Sequence, residues 1–186
     1  MVRARLVRVG CAVLLALGAF LGSLIVQAPD AGAAPTRCPA NPAPKSGYIR
    51  SGKLSTIRPN PVGYEGQGSW AAKQPWFRST TGEVTITARR MDGTGTATYD
   101  VGTSAEYGPT GFVPSRIVFG SGGCWRVAGR LGTSRVVLYF RIDDSEGSVC
   151  RQLDSNLDNL DTLHKAGDDP LRQKFEAEQL DRGCTS

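Results

Sequence analysis

Histidine is nearly absent from this sequence, which holds a single one, His164, among 186 residues. That shortage leaves one imidazole for acid–base chemistry or zinc binding, and no Cys-x2-Cys pair supplies the usual thiolate ligands of zinc. Ser104 lacks the Gly-x-Ser-x-Gly surroundings of a hydrolase nucleophile. We therefore predict no catalytic residue, no metal site and no cofactor, and we interpret His164 as a packing or capping residue.

Clusters of lysine and arginine are lacking as well. Residues 34–142 carry 14 basic and 5 acidic side chains, a net charge of +9, whereas residues 143–186 carry 5 basic and 11 acidic ones, a net charge of −6. Such asymmetry is typical of two structural units. The basic side chains are scattered along the first unit without interleaved aromatics, so we interpret them as an ordinary solvated surface and predict no nucleic-acid partner.

The first 33 residues have the three parts of an export signal. Three early arginines precede an uncharged apolar run from Val9 to Val26, and Ala31-Gly32-Ala33 is a small-x-small cleavage site. We predict cleavage after Ala33, a secreted or cell-surface location, and no stable membrane span once the signal is removed. The alternative is an uncleaved anchor, because the apolar run is just long enough to cross a bilayer.

Four cysteines remain after such a cleavage, namely Cys38, Cys124, Cys150 and Cys184. An even number of cysteines in an oxidising compartment predicts two disulfides. The fifth cysteine, Cys11, lies inside the apolar run, too early to be the lipidated cysteine of a lipoprotein.

Residues 34–62 are rich in proline and predict an extended arm, held to the rest of the protein by Cys38. Residues 63–142 predict a β domain, because apolar and polar side chains alternate there. We expect strands near 83–89, 96–101, 116–120, 124–131 and 135–142, with Trp125, Val127, Leu138 and Phe140 in the core. Short strands with glycine-rich turns and no intervening helices are typical of an antiparallel sandwich or barrel.

Residues 143–186 change to a helical period. Apolar residues at steps of three and four predict a helix over about 148–165, its stripe formed by Cys150, Leu153, Leu157, Leu160 and His164. Gly167 can end it, and Asp169-Pro170 has the form of a helix start, predicting a second helix over 169–182. We assign Leu171, Phe175 and Leu180 to the stripe of this second helix, which Gly183 ends.

The two helices predict a disulfide-closed hairpin. Helices joined by a short loop fold back antiparallel, and lengths of about 24 and 20 Å nearly match. That arrangement brings Cys150 to Cys184 and leaves Cys38 for Cys124, which should point away from the core and tie the arm to the outside or rim of the domain. We expect the hairpin to dock on the basic domain, the alternative being that its apolar stripe is kept for a partner.

Five aromatic residues lie in turn-rich stretches before and between the predicted strands: Trp70, Trp76, Phe77, Tyr107 and Phe112. Most should pack in the core or at its rim, because large rings bury extensive apolar area. Any that are exposed are the best candidates for a contact surface.

From Gly68 to Ile142 the chain resembles a family of uncharacterised exported bacterial β-sandwich domains, many of them lipoproteins. The resemblance is carried by Trp76-Phe77-Arg78, Tyr107-Gly108-Pro109-Thr110-Gly111-Phe112 and Gly123-Cys124-Trp125, with Cys38-Pro39 matching an early Cys-Pro of the family. This chain differs in having Arg126 where the family tends to have glutamate, in lacking a lipidated cysteine, and in adding the helical hairpin. The resemblance implies an immunoglobulin-like antiparallel β-sandwich and an envelope location, it supports the Cys38–Cys124 pairing, and it brings no known activity.

The sequence therefore predicts a mainly β protein with four segments: a signal peptide (1–33), an arm (34–62), a β-sandwich domain (63–142) and a helical hairpin (143–186). We expect an exported, non-catalytic module that contacts another protein or a cell-envelope component. The alternative is a secreted inhibitor of a protease or other hydrolase, which would present a rigid exposed loop such as Gly108 to Ser115.

Overall fold

The computed structural model describes residues 37–163 and 169–184, which belong to one compact unit, Ala33–Ser186. The predicted signal and its cleavage site lie outside the described residues. The elements, in chain order, are β1 (Ile49–Ser51), β2 (Leu54–Thr56), β3 (Gly63–Gly66), β4 (Ser69–Arg78), β5 (Thr85–Arg90), β6 (Ala97–Val101), α1 (Ser104–Tyr107), β7 (Gly111–Phe119), β8 (Gly123–Leu131), β9 (Ser134–Ile142), α2 (Glu146–Thr162) and α3 (Pro170–Arg182).

The strands form two antiparallel sheets that share one core. The larger sheet has the order β1-β2-β4-β7-β6 with β3 also paired to β4, and the smaller has the order β5-β8-β9. Aromatic rings join them: Phe119 of the larger sheet lies 5.3 Å from Trp125 and 5.4 Å from Phe140 of the smaller one, measured between ring centroids. The predicted core residues Trp125, Val127, Leu138 and Phe140 are all buried, which confirms that prediction.

The strands predicted from alternation are confirmed, with small shifts at their ends. The segment 116–120 is the end of a longer strand, β7, which begins at Gly111. No strand is predicted at the position of β4, which is the longest strand. The sequence places its aromatic residues in a turn-rich stretch. Its inward positions include the polar Gln74 and Arg78 beside Trp70 and Trp76, so its polar and apolar residues do not alternate cleanly.

The proline-rich segment is an extended arm only in its first part. Further along, β1 and β2 form the end of the larger sheet, and Leu54 and Thr56 are fully buried there. The first part is held beside β9, where the Asn41 side chain donates to the Tyr139 carbonyl and accepts from the Tyr139 amide, both at 2.7 Å. The prediction of an unpacked arm over 34–62 is therefore wrong for residues 49–56.

Both predicted disulfides are present. Cys150 and Cys184 close the helical hairpin with their Cα atoms 5.5 Å apart, and Cys38 joins Cys124 with a Cα separation of 5.4 Å. Cys124 alternates with the inward Trp125, so its bridge attaches the arm on the outer side of the smaller sheet, as expected. Asp169 caps α3 by accepting from the Leu171 amide, and Gly183 ends that helix in the left-handed conformation. His164 and Gly167 lie outside the described residues.

The hairpin docks on the sheets, which confirms that expectation. Val149, Leu153, Leu160 and Phe175 belong to the common core. The described ion pairs of the hairpin link its own residues, such as Arg172 with Asp161 and Arg182 with Glu178, so the contact with the sheets is formed by apolar burial and hydrogen bonds. The predicted stripe of α3 is wrong for Leu171 and Leu180, which are both exposed. Leu180 lies five residues after Phe175, about 140° around the helix, and it is 83% exposed.

Among residues 37–163 and 169–184, no helix has the length and apolar character needed to cross a membrane.

Candidate functional site

Four aromatic rings lie in a row on the outer side of the larger sheet. Tyr48 packs edge-on against Phe77 with ring centroids 5.3 Å apart, Phe77 lies 5.9 Å from Phe112, and Phe112 lies 6.0 Å from Tyr107. Tyr48, Tyr107 and Phe112 are exposed and Phe77 is half-buried. We call these four residues the aromatic face.

Strand alternation explains where these rings lie. Phe77 follows the buried Trp76 on β4, and it is the direct cross-strand partner of Phe112 on β7. Two residues further along, Pro75 is paired with Pro114 and extends the apolar surface. Proline has no amide hydrogen for a ladder, and the outer strands end here: β2 ends opposite Trp76 and β6 ends opposite Ser115.

Trp70 and Trp76 are not part of this surface. Both are buried, and the Trp76 indole donates to the Ser115 hydroxyl at 3.0 Å. Trp70 packs against Tyr64 with ring centroids 4.9 Å apart. Of the five aromatics singled out from the sequence, the structure therefore brings Phe77, Tyr107 and Phe112 together at the surface and places the two tryptophans in the core.

Tyr107 is presented by a short helix that several polar contacts hold in place. The backbone amide and hydroxyl of Thr103 donate to Glu106 at 3.0 and 3.1 Å, which closes the first turn of α1. The Ser104 amide and hydroxyl donate to the Glu83 carboxylate. These bonds favour ionised carboxylates, and they lower the pKa values of Glu83 and Glu106.

Arg78 holds the same region from the core side of the larger sheet. Its side chain has no exposed surface, and its guanidinium donates to the carbonyls of Gly82 at 2.8 Å and Gly108 at 2.6 Å. It also lies 3.9 Å from Glu83. No role is predicted for Arg78 from the sequence, because its inward position becomes evident only once β4 is known to be a strand.

Charges of both signs surround the aromatic face. Lys73 and Arg116 are cross-strand partners beyond the two prolines, and Arg116 forms an ion pair with Glu65. A groove of about 460 Å³ lies between them and Tyr107, with Asp100 and Glu106 also on its walls. An apolar centre with a mixed polar rim is typical of surfaces that bind proteins.

A second cavity, of about 430 Å³, lies beside the Cys38–Cys124 bridge and contains several carboxylates. Asp92 is partly desolvated, yet hydrogen bonds from Arg90 at 2.9 Å and the Cys124 amide at 2.8 Å outweigh that burial and lower its pKa. The pKa of Asp143 is lowered by hydrogen bonds from Ser145. Neither carboxyl therefore holds a proton at neutral pH, as a general acid would have to.

Within the described ranges, no group of three or more histidine, cysteine, aspartate or glutamate residues is placed to hold a metal ion. The comparisons with known proteins found no family whose pattern matches this chain and no curated protein that matches it significantly. The resemblance to exported β-sandwich domains therefore stays a prediction.

Proposed function

We propose that this protein is an exported, non-catalytic module that binds another protein through the aromatic face. The observation that carries the proposal is the continuous row of Tyr48, Phe77, Phe112 and Tyr107 on one side of a rigid sheet. Tyrosine and phenylalanine are enriched in the centres of protein interfaces, where they bury large areas at little cost in side-chain entropy. The mixed charges around the row favour a protein partner over a polymer of one charge sign.

The fold we infer for this module is an immunoglobulin-like sandwich of the constant type. If β2, β4, β5, β6, β7, β8 and β9 are lettered A to G, the larger sheet reads A-B-E-D and the smaller reads C-F-G, which is the strand order of that class. One difference is covalent. Cys124 on the F strand is bonded to Cys38 in the arm, where antibody domains bridge the B and F strands through the core.

Two disulfides support the exported location, because such bonds persist in oxidising compartments. We do not extend the proposal to an inhibitor. Residues 111–115, which form most of the loop expected to enter a hydrolase, belong to strand β7, and Val113 and Ser115 are buried.

A photo-cross-linking amino acid at position 112 tests the proposal. Introduced in the producing cell in place of Phe112, it should yield an adduct with another protein, and the Tyr107→Ala substitution should reduce that adduct by about tenfold if Tyr107 is a hot-spot residue. Tyr99 is the matched control. It is 46% exposed, close to the 45% of Phe112, but it points to the other side of the same sheet, where its cross-strand partner is the buried Ile117.

The same cross-linker at position 99 should give no such adduct. Equal adducts from both positions, or none from position 112, would contradict the proposal. If the only adduct joined two copies of this chain, the partner of the aromatic face would be a second copy and not another protein.

A further inference from the structure

Five arginines lie on the outer face of the smaller sheet, on the opposite side of the core from the aromatic face. They alternate with core residues on all three strands: Arg89 on β5, Arg126 and Arg130 on β8, and Arg135 and Arg141 on β9. Four of them are exposed and Arg126 is partly buried. We call these five residues the arginine face.

The register places like charges directly opposite one another. Arg89 is paired with Arg126, and Arg130 is paired with Arg135. The two pairs are four residues apart along β8, which is about 13 Å. Like charges at directly opposite positions destabilise a sheet. The positive charges also act beyond the direct pairs: the pKa of Arg135 is lowered first by the charge of Arg126, then by partial desolvation and by the charge of its cross-strand partner Arg130.

None of these five side chains forms an ion pair with a carboxylate within the part of the chain that the structure describes. The ion pairs formed there involve other arginines, namely Arg78, Arg90, Arg116, Arg172 and Arg182. Asp143 follows Arg141 at one end of the face, and its pKa is lowered first by hydrogen bonds from Ser145 and then by the charges of Arg151 and Arg141.

The arm lengthens the face. Arg37 and Arg141 line an open groove of about 660 Å³ together with Tyr139 and the bridged Cys38. The arm is fixed at this position by the Cys38–Cys124 bridge and by the two hydrogen bonds between Asn41 and Tyr139. The positive surface therefore continues from the sheet onto a covalently attached segment.

The interpretation of the basic side chains as scattered over the surface is wrong for these five arginines, which lie together on one face. Arg89, Arg126 and Arg135 are far apart in the sequence, but strand pairing makes them neighbours. The sequence does contain one signal for this face, because the arginines occupy the outward positions of predicted strands whose inward positions are apolar.

We propose that the arginine face binds a linear polymer of phosphate groups. Guanidinium groups bind phosphate through two parallel hydrogen bonds, and they remain charged at all physiological pH values. Each internal phosphate of such a polymer has two non-bridging oxygens, and each oxygen can accept from a different member of an arginine pair. Two pairs on a rigid sheet can thus hold successive parts of one extended chain.

Other anionic partners fit the face less well. The centre of a protein interface is usually rich in large aromatic side chains, whereas the residues between the two arginine pairs are the small Thr87, Ala128 and Val137. Single-stranded nucleic acid is usually held by stacking on several aromatic rings, and Tyr139 is the one aromatic residue among the described outward positions of this sheet.

The test measures binding of inorganic polyphosphate to the purified protein by isothermal titration calorimetry. We expect binding that weakens steeply as salt is raised. Arg130→Gln with Arg135→Gln should lower the affinity by about tenfold or more, because it removes one complete pair. The double substitution should not reduce stability, since it relieves the repulsion between opposite like charges.

Two further variants separate specific contacts from net charge. Arg50→Gln with Arg58→Gln removes the same charge from exposed positions elsewhere and should leave the affinity within about threefold of the original. Arg130→Lys with Arg135→Lys keeps the charge but loses the paired donors, and it should bind more weakly than the original protein.

An equal loss in the Gln variants of both sites would overturn the proposal, as would the absence of polyphosphate binding. Tighter binding to single-stranded DNA of matched charge, or binding only to vesicles that contain phosphatidylglycerol, would overturn it in favour of a nucleic acid or a membrane surface.

Discussion

Gly129 on β8 lies directly against the ring of Trp76 in the larger sheet. A Cβ atom at this position would lie 2.4 Å from the ring of Trp76 on β4. The backbone does not require glycine there, since no positive φ is recorded for Gly129. Glycine is needed here because the fully buried Trp76 ring occupies the volume that a side chain would fill.

Gly129→Ala should therefore destabilise the protein by about 1–3 kcal/mol, the usual range for adding a methyl group to a packed core. Urea denaturation followed by tryptophan fluorescence measures the change. Gly63→Ala is the matched control: Gly63 is also a strand glycine without positive φ, and nothing lies within 4 Å of its added Cβ, so its stability should be unchanged or slightly higher. Similar losses in both variants would show that strand glycine as such, and not the contact with Trp76, sets the cost.

At the scale of elements, α3 is held against β3 by polar contacts. Glu178 accepts from the Tyr64 hydroxyl and from the Gln67 amide at 2.9 Å, and Arg182 donates to the Tyr64 hydroxyl at 3.0 Å. Burial raises the pKa of Tyr64, and its bond to Glu178 raises it further. Burial also disfavours ionised Glu178, but hydrogen bonds from Tyr64, Gln67 and Arg182 outweigh it and lower the pKa of this carboxyl.

These shifts predict a pH window for the docking of α3. Because the pKa of Glu178 is lowered, its contribution to stability is present above its ordinary value of 4.5 and is lost as the pH falls through the folded-state pKa. Because the pKa of Tyr64 is raised, its contribution is present below its ordinary value of 10.0 and is lost as the pH rises through the folded-state pKa. Docking should thus be strongest between these limits.

Glu178→Gln should be less stable than the original protein at neutral pH, and the difference should shrink as the pH falls below 4.5, when the original carboxyl is protonated. Thermal melting across a pH series measures both. Glu176→Gln on the same helix is the control, because Glu176 accepts its hydrogen bond from Arg172, which also belongs to α3. A constant difference between Glu178→Gln and the original protein at all pH values would contradict the role of the carboxylate.

For the molecule as a whole, the helical hairpin is part of the core and not an appendage. Val149, Leu153, Leu160 and Phe175 are buried in the same cluster as the two sheets. The Cys150–Cys184 bridge closes the hairpin, and the Asn156 side chain donates to the Tyr64 carbonyl at 2.9 Å. Removing the hairpin would expose the apolar surface under these four side chains.

A chain truncated after Asp144 should therefore melt about 10 °C lower than the full chain, since several kcal/mol of apolar burial is lost. Scanning calorimetry measures the melting temperatures of the truncated and the full chain. Two point variants control for truncation itself: Leu153→Ala should cost about 2–5 kcal/mol because Leu153 is fully buried, and Leu180→Ala should cost almost nothing because Leu180 is 83% exposed. An unchanged melting temperature on truncation would mean that the hairpin contributes no stability to the sheets.

Features that depend on neighbours along the chain could be predicted from the sequence alone. Alternation identified β5, β8 and β9 and the core residues of β8 and β9, a β-prone run identified β6, and the Asp169-Pro170 start and Gly183 stop identified α3. Those local elements were enough to pair Cys150 with Cys184, because the reach of a helix follows directly from its number of residues.

Which surfaces these elements build depends on contacts between residues that are distant in the chain. The inward Gln74 and Arg78 interrupt the apolar pattern of β4, and the structure buries them where Gln74 donates to Thr56 and Arg78 donates to the Gly108 carbonyl. The aromatic face and the arginine face arise in the same way, from strand register. Register places Phe77 opposite Phe112 and Arg89 opposite Arg126, and a sequence pattern carries little information on which strands distant in the chain become neighbours.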